Sequence, residues 1–215
     1  MTAELQIEQG WVEPELRGEF PELALYHARV ETGSGRTPRE VRDRLRVMSN
    51  RFTGAKAVNL RQEPVPWAYR VFFRQVGIDP DERRTAPEEI ALERMKRGGF
   101  RSQNLLDDAI VIATVETGVP VIAFDADRVE GEIGLRLSQP RERLGGEGRP
   151  LSSQQIVIAD SVRAVAVLFG ELADGRGVHP ETARMLLAVV RVKGVPQVSL
   201  EEALWTVGEI VGGPA

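Results

Sequence analysis

Between Asn104 and Leu137 the apolar positions change from a helical period to a strand period without a break. Leu105, Leu106, Ala109, Ile112 and Ala113 recur at helical spacing. Asn104 stands where a helix cap belongs, and Asp107 and Asp108 fall in the first turn, where carboxylates meet the positive end of the helix dipole. Gly118 and Pro120 form a stop signal. Val119 to Phe124 then reads as a buried strand, Asp125 to Gly131 as a turn, and the alternation of Ile133, Leu135 and Leu137 as a second strand. The pattern predicts a helix feeding a hairpin.

The remaining elements follow from the same periods. Leu5 to Ile7 is expected as an edge strand and Leu23 to Val30 as a fuller one, followed by a turn at Gly33, Ser34 and Gly35. Thr37, Pro38 and Glu40 spell a capping box, and Val41, Leu45, Met48 and Phe52 make the apolar stripe of the helix it opens. Pro64 to Gly77 predicts a helix whose Trp67, Tyr69, Phe72 and Phe73, interleaved with Arg70 and Arg74, could stack bases but are expected to pack the core. Thr85 and Glu88 open another, ending before Gly98 and Gly99. Pro140 to Gln155 is a polar surface loop or loose hairpin; Ile156 to Ala159 and Val162 to Phe169 are strands covered on both faces; Arg184 to Lys193 is an apolar run open to strand or helix, its valines favouring strand; Ser199 and Glu202 open a final helix. The expected fold is α+β, a single domain over 1–215 with packed sheets and flanking helices, an N-terminal extension over 1–19 and a C-terminal helix over 197–215.

Composition narrows the chemistry. The chain has no cysteine, which excludes disulfides, thiolate nucleophiles and cysteine-based metal sites. No apolar run reaches the roughly 18 residues of a membrane span, so no membrane association is expected and the cytoplasm is the default location. The net charge is -4, yet residues 38–101 hold 15 Arg or Lys against 9 Asp or Glu. A basic third of an acidic chain would hold phosphates if it folded onto one face; otherwise it only solvates helix surfaces. Arg36, Arg39, Arg42 and Arg46, at and after a predicted helix start, are the candidate RNA-backbone contacts. Gly33 to Thr37 lacks the spacing and lysine of a nucleotide phosphate loop, and no serine sits in a nucleophile elbow. Of the two histidines, His27 is read as a surface or interface residue and His179 as a loop residue after a buried strand. No metal and no cofactor is expected.

Several stretches carry a resemblance. Asn104, Asp108, the Gly118 to Pro120 stop and AFDADRVEG from Ala123 to Gly131 resemble the centre of the B3/B4 domain, the tRNA-binding and editing module of the bacterial phenylalanyl-tRNA synthetase beta subunit. WAYRVFFRQVGIDPDE from Trp67 to Glu82 and IVIAD from Ile156 to Asp160 are similar to stand-alone members of that family. The resemblance runs from about Phe20 to Pro196 and implies a layered β-sandwich. It also implies a pocket that admits a mischarged amino acid. The family's pocket threonine falls on Ile110, its histidine on Ile122, its glutamate on Ala188, and an alanine on Ala166. Three polar positions have become apolar, and an isoleucine neither positions a water nor stabilises an oxyanion. Polar groups for the pocket are therefore sought at Asn104, Asp108, Glu171 and His179. Two readings remain open: an RNA-linked quality-control protein that binds tRNA and hydrolyses or screens its amino acid, or a non-catalytic module for an amino acid, a similar small ligand or a protein contact.

Overall fold

Two four-stranded sheets organise the chain. The structure, a computed structural model, describes residues 5–32 and 35–212. The strands are β1 (Ile7–Gln9), β2 (Trp11–Val12), β3 (Ala24–Val30), β4 (Ile122–Asp125), β5 (Gly134–Leu137), β6 (Ile156–Ala159), β7 (Ala164–Val167) and β8 (Met185–Arg191). The helices are α1 (Pro14–Glu19), α2 (Arg39–Arg51), α3 (Gly54–Asn59), α4 (Pro64–Gln75), α5 (Ala86–Arg97), α6 (Leu105–Thr117) and α7 (Gln197–Gly212). One sheet has the order β1-β3-β8-β4 and is antiparallel throughout; the other has the order β2-β5-β6-β7, with only β2 and β5 parallel. The fold is α+β with layered sheets and flanking helices, as the patterning predicts. None of the described helices is long and apolar enough to cross a membrane.

The core lies on both sides of β8. Met185 through Val190 are all buried, because α7 and α6 cover one face of this sheet and the second sheet covers the other. Leu200, Ala203, Leu204 and Val207 supply the α7 side, while Leu135, Ile156 and Ile158 supply the opposite one. The outer face of the second sheet is also dry. Leu144 and Leu151, from the expected surface loop, fold over Val157, Ala159, Ala164 and Val167 with Ala173.

The first residues tie the two sheets together. Gly10 donates its N–H to the Leu25 carbonyl at 2.9 Å, and Trp11 donates to the Ile133 carbonyl at 3.2 Å, so the chain steps from one sheet to the other between them. A Cβ on Gly10 would stand 2.4 Å from the Ile133 oxygen, which admits no side chain. Residues within the expected N-terminal extension thus contribute a strand to each sheet.

Several local expectations are corrected. The predicted hairpin after α6 does not form: β4 pairs with β8 in the first sheet and β5 with β2 and β6 in the second. The connection between them, 126–133, exceeds the two to five residues or so of a tight hairpin and serves as a crossover between layers. The true hairpin is β6–β7, whose turn is closed by Asp160 Oδ1 accepting the N–H groups of Val162 and Arg163. Of the turn expected at Gly33, Ser34 and Gly35, the first two residues lie outside the described ones. Helices α1 and α3 are not foreseen by the apolar period, being only six residues each.

The predicted capping box at Thr37 is also absent, and its reason bears on Asp108. The Thr37 hydroxyl donates to Asp108 Oδ2 at 2.6 Å instead of capping its own helix. The Ser102 hydroxyl donates to the same oxygen at 2.6 Å, and the Gln103 N–H to Oδ1 at 3.0 Å. Asp108 is 2% exposed, so it is a buried knot joining the starts of α2 and α6. The second capping box does form: Glu88 Oε2 accepts from the Thr85 N–H and hydroxyl. Glu88 and Asp81 also hold buried Arg70, each at 2.5 Å, which fixes α5 against α4.

His27 is buried rather than superficial, 8% exposed in β3, with no partner for Nδ1. Burial lowers its pKa below 6.5, only partly opposed by the charge of Glu8 across the strand pair.

Two outcomes follow from these buried polar groups. Asp108→Ala leaves three donors without an acceptor, at about 1–3 kcal/mol for each that stays dry, so urea melts are expected to show a loss above about 2 kcal/mol. For His27 the unfolded chain takes up the proton first as pH falls below 6.5, so folding stability declines from there downward. His27→Gln is expected to flatten this segment of the stability–pH curve; an unchanged slope would place the titration elsewhere.

Candidate functional site

A concavity of about 570 Å³ opens between α6, the approach to β4, the start of α5 and the turn after β7. Its position is dictated locally. Asn104 caps α6, accepting from the Asp107 N–H at 2.9 Å, and the helical register then turns Leu106 and Ile110, four residues apart, toward the cavity. Gly118, with φ +75°, ends the helix. Pro120 through Ala123 then form the adjoining wall, with Ile122 held in register opposite Ala188 of β8.

The turn after β7 supplies the floor. Phe169 has φ 51°, in the left-handed region that a bulky aromatic rarely enters. Its ring packs edge-on to Tyr69 at 5.5 Å and tilted against Phe73 at 5.3 Å, and its carbonyl accepts from Arg83 Nη2 at 2.5 Å. Tyr69 is wholly buried and donates to the Val190 carbonyl at 2.9 Å. Burial pushes its phenol far up, so it stays neutral and tied to the backbone rather than acting as an acid.

Charged groups stand among the apolar ones. Arg83, Arg84, Glu89, Asp107 and Glu171 all line the cavity. Asp107 Oδ2 accepts from the Asn104 amide at 2.7 Å, and Glu171 is paired with Arg149. Arg84 and Glu89 are exposed, and among the described residues their side chains make no hydrogen bond or ion pair. The arrangement can bury an apolar side chain against Leu106, Ile110 and Ile122 while meeting charge near Arg84 and Glu89. No histidine is in the lining.

The residues singled out from the sequence are dispersed. Ile110, Ile122 and Glu171 line the cavity. Ala188 lies buried beside Ile122, and Ala166 is buried within β7. Asn104 and Asp108 serve the start of α6, with Asp108 facing a separate groove of about 230 Å³. His179 lies outside the cavity lining: its Nε2 is 3.0 Å from Asp125 Oδ2, without hydrogen-bond alignment, and its Nδ1 accepts the Glu181 N–H at 3.3 Å. With the Thr182 hydroxyl donating to Asp125 at 3.1 Å, it braces the end of the loop before β8. Among the arginines, Arg39 and Arg46 lie 3.8 and 3.1 Å from Asp43 carboxylate oxygens, Arg42 donates to the Thr37 carbonyl at 2.8 Å, and Arg36 is exposed. Sequence reasoning missed Arg83, Arg84, Glu89 and the outlying backbone of Phe169. Only the position of Arg83 and Arg84 just ahead of the Thr85 capping box signalled that they would flank a helix start.

Comparison with known proteins bears on this geometry. The chain is 36% identical over 100 residues to the phenylalanine–tRNA ligase beta subunit of Photorhabdus laumondii subsp. laumondii, covering 44% of this chain and 12% of that protein. It is 36% identical over 95 residues to the beta subunit of Xylella fastidiosa, covering 42% and 12%, and 33% identical over 98 residues to that of Nitrosococcus oceani, covering 44% and 12%. The matched region thus spans about an eighth of the length of these relatives. The B3/4 domain family matches residues 68–195, more than half of the chain, from within α4 through the end of β8, and so takes in every residue that lines the cavity. On that match the chain belongs to the B3/4 domain family.

Proposed function

We propose that this B3/4 domain screens aminoacyl groups carried on tRNA, taking an apolar or aromatic amino-acid side chain into the cavity between α6, β4 and the Phe169 turn. The observation that carries the reading is that Ile110 and Ile122, two of the four positions the family resemblance assigns to a pocket, both line the same cavity of about 570 Å³, with Ala188 buried behind Ile122. The relatives' activity as ligases concerns proteins about eight times longer than the matched region, so it is the screening step alone that is proposed here.

The chemistry of the walls favours recognition over cleavage. Hydrolysis of an aminoacyl ester needs a base for the attacking water and donors for the oxyanion. Isoleucine at 110 and 122 supplies neither, Glu171 is paired with Arg149, Asp107 accepts from Asn104, and Tyr69 is tied to Val190, which leaves exposed Glu89 as the one carboxylate of the lining without a partner among the described residues. What Leu106, Ile110 and Ile122 supply is an apolar surface, and burying one Leu- or Phe-sized side chain is worth about 1.5–3 kcal/mol.

Filter binding with tRNA charged with leucine or phenylalanine is therefore expected to be roughly 10- to 100-fold tighter than with the same tRNA uncharged. Ile110→Trp, which fills the cavity from a half-exposed helix position, is expected to erase the difference. Equal binding of charged and uncharged tRNA by the unaltered protein would end the proposal. Release of the amino acid above a buffer control in the same samples would add hydrolysis to it.

A further inference from the structure

A second concavity shares a lining residue with the cavity. Between α3 and α5 runs a groove of about 240 Å³, floored by Ala57, Ala91 and Leu92 and edged by the exposed apolar side chains of Val58 and Met95. Arg61 stands in this groove, and Arg84 lines both the groove and the cavity. Among the described residues neither guanidinium makes a hydrogen bond or ion pair, although the charge of Arg61 helps to lower the pKa of Asp81 nearby. The carboxylate in the groove, Glu88, is already held by Arg70 and Thr85. The surface thus presents two guanidiniums without a hydrogen-bonded or ion-paired partner among the described residues, over an aliphatic floor, and the second of them stands at the cavity.

We infer that this groove, rather than the outer face of α2, is the track for a single-stranded RNA 3′ end whose terminal residue reaches the cavity. The inference rests on the reading above. A polyanion is the occupant that the charge favours: phosphates replace solvent and counterions around Arg61 and Arg84, while sugars and base edges lie against Val58, Met95 and Leu92. On α2 four of the five arginines already have partners. Arg39 and Arg46 lie against Asp43, Arg42 is bonded to the Thr37 carbonyl, and Arg44 to Glu116, so a phosphate at any of these four would have to displace them.

The test is a salt titration of tRNA binding with Arg61→Ala, Arg84→Ala, the double variant, and Arg39→Ala with Arg46→Ala as the comparison. Both groove arginines are exposed, so unchanged thermal melts are expected. At about 0.7 per single-strand phosphate, the double groove variant is expected to lower the log–log salt slope by about 1.4, whereas the α2 variant leaves it nearly unchanged. Trimming the single-stranded 3′ end from the tRNA is expected to lower the slope of the unaltered protein by a similar amount and to abolish the effect of the groove variants. Retained slope and affinity in the double groove variant, with loss in the α2 variant, would overturn the track while leaving the screening proposal intact. Absence of tRNA binding by the unaltered protein would overturn both.

Discussion

The arrangement depends on the burial of one strand. From Met185 to Val190 every side chain of β8 is dry, which requires α7 on one face, the second sheet on the other, and a strand along each edge. A continuous apolar run of this length has no solvent face to offer, so its neighbours must be complete. Placing β4 on its free edge sets Ile122 opposite Ala188, and the Val190 carbonyl receives the Tyr69 hydroxyl from α4. Both walls of the cavity are therefore referred to the same buried ladder.

The turn after β7, which lines the cavity, is held in an unfavourable conformation. A non-glycine residue in the left-handed region costs on the order of 1–3 kcal/mol. Phe169 tolerates it because its ring meets three aromatics of α4, each such pair contributing about 0.5–1.5 kcal/mol beyond area burial, and because Arg83 holds its carbonyl. The aromatic content of α4 serves the site indirectly: it anchors the residue that closes the floor. The same turn separates this cavity from a second one of about 540 Å³, which Arg83 and Phe169 also line.

Polar groups that look chemical in the sequence are largely absorbed by structure. Asp108, Asp125 and Glu88 each accept hydrogen bonds that join segments distant in the chain, and His179 stands against Asp125 at one of these junctions. Among the described residues that border the cavity and the groove, Arg61, Arg84 and Glu89 make no such bond, and they belong to the stretch of chain with the basic excess. They sit on exposed turns and helix starts, where no local period marks them.

By itself the sequence determined the elements whose physics is local. The Asn104 cap, the Gly118 stop, the Thr85–Glu88 capping box, the doubly covered β6 and β7 and the final helix all follow from side chains within a few residues of one another, and so does the resemblance that joins residues 104–131 to the B3/4 domain. Only the tertiary structure decided which strands pair. The β4 and β5 runs are each apolar enough for either sheet, and partner choice depends on β8, some sixty residues further along. It likewise decided that Thr37 would bind Asp108 rather than cap its own helix, that His27 would be buried, and that Arg84 would stand where a groove meets a cavity. Hydrogen bonds and burial between distant segments have no periodicity to read, because the chain brings those partners together only once the two sheets have closed on β8.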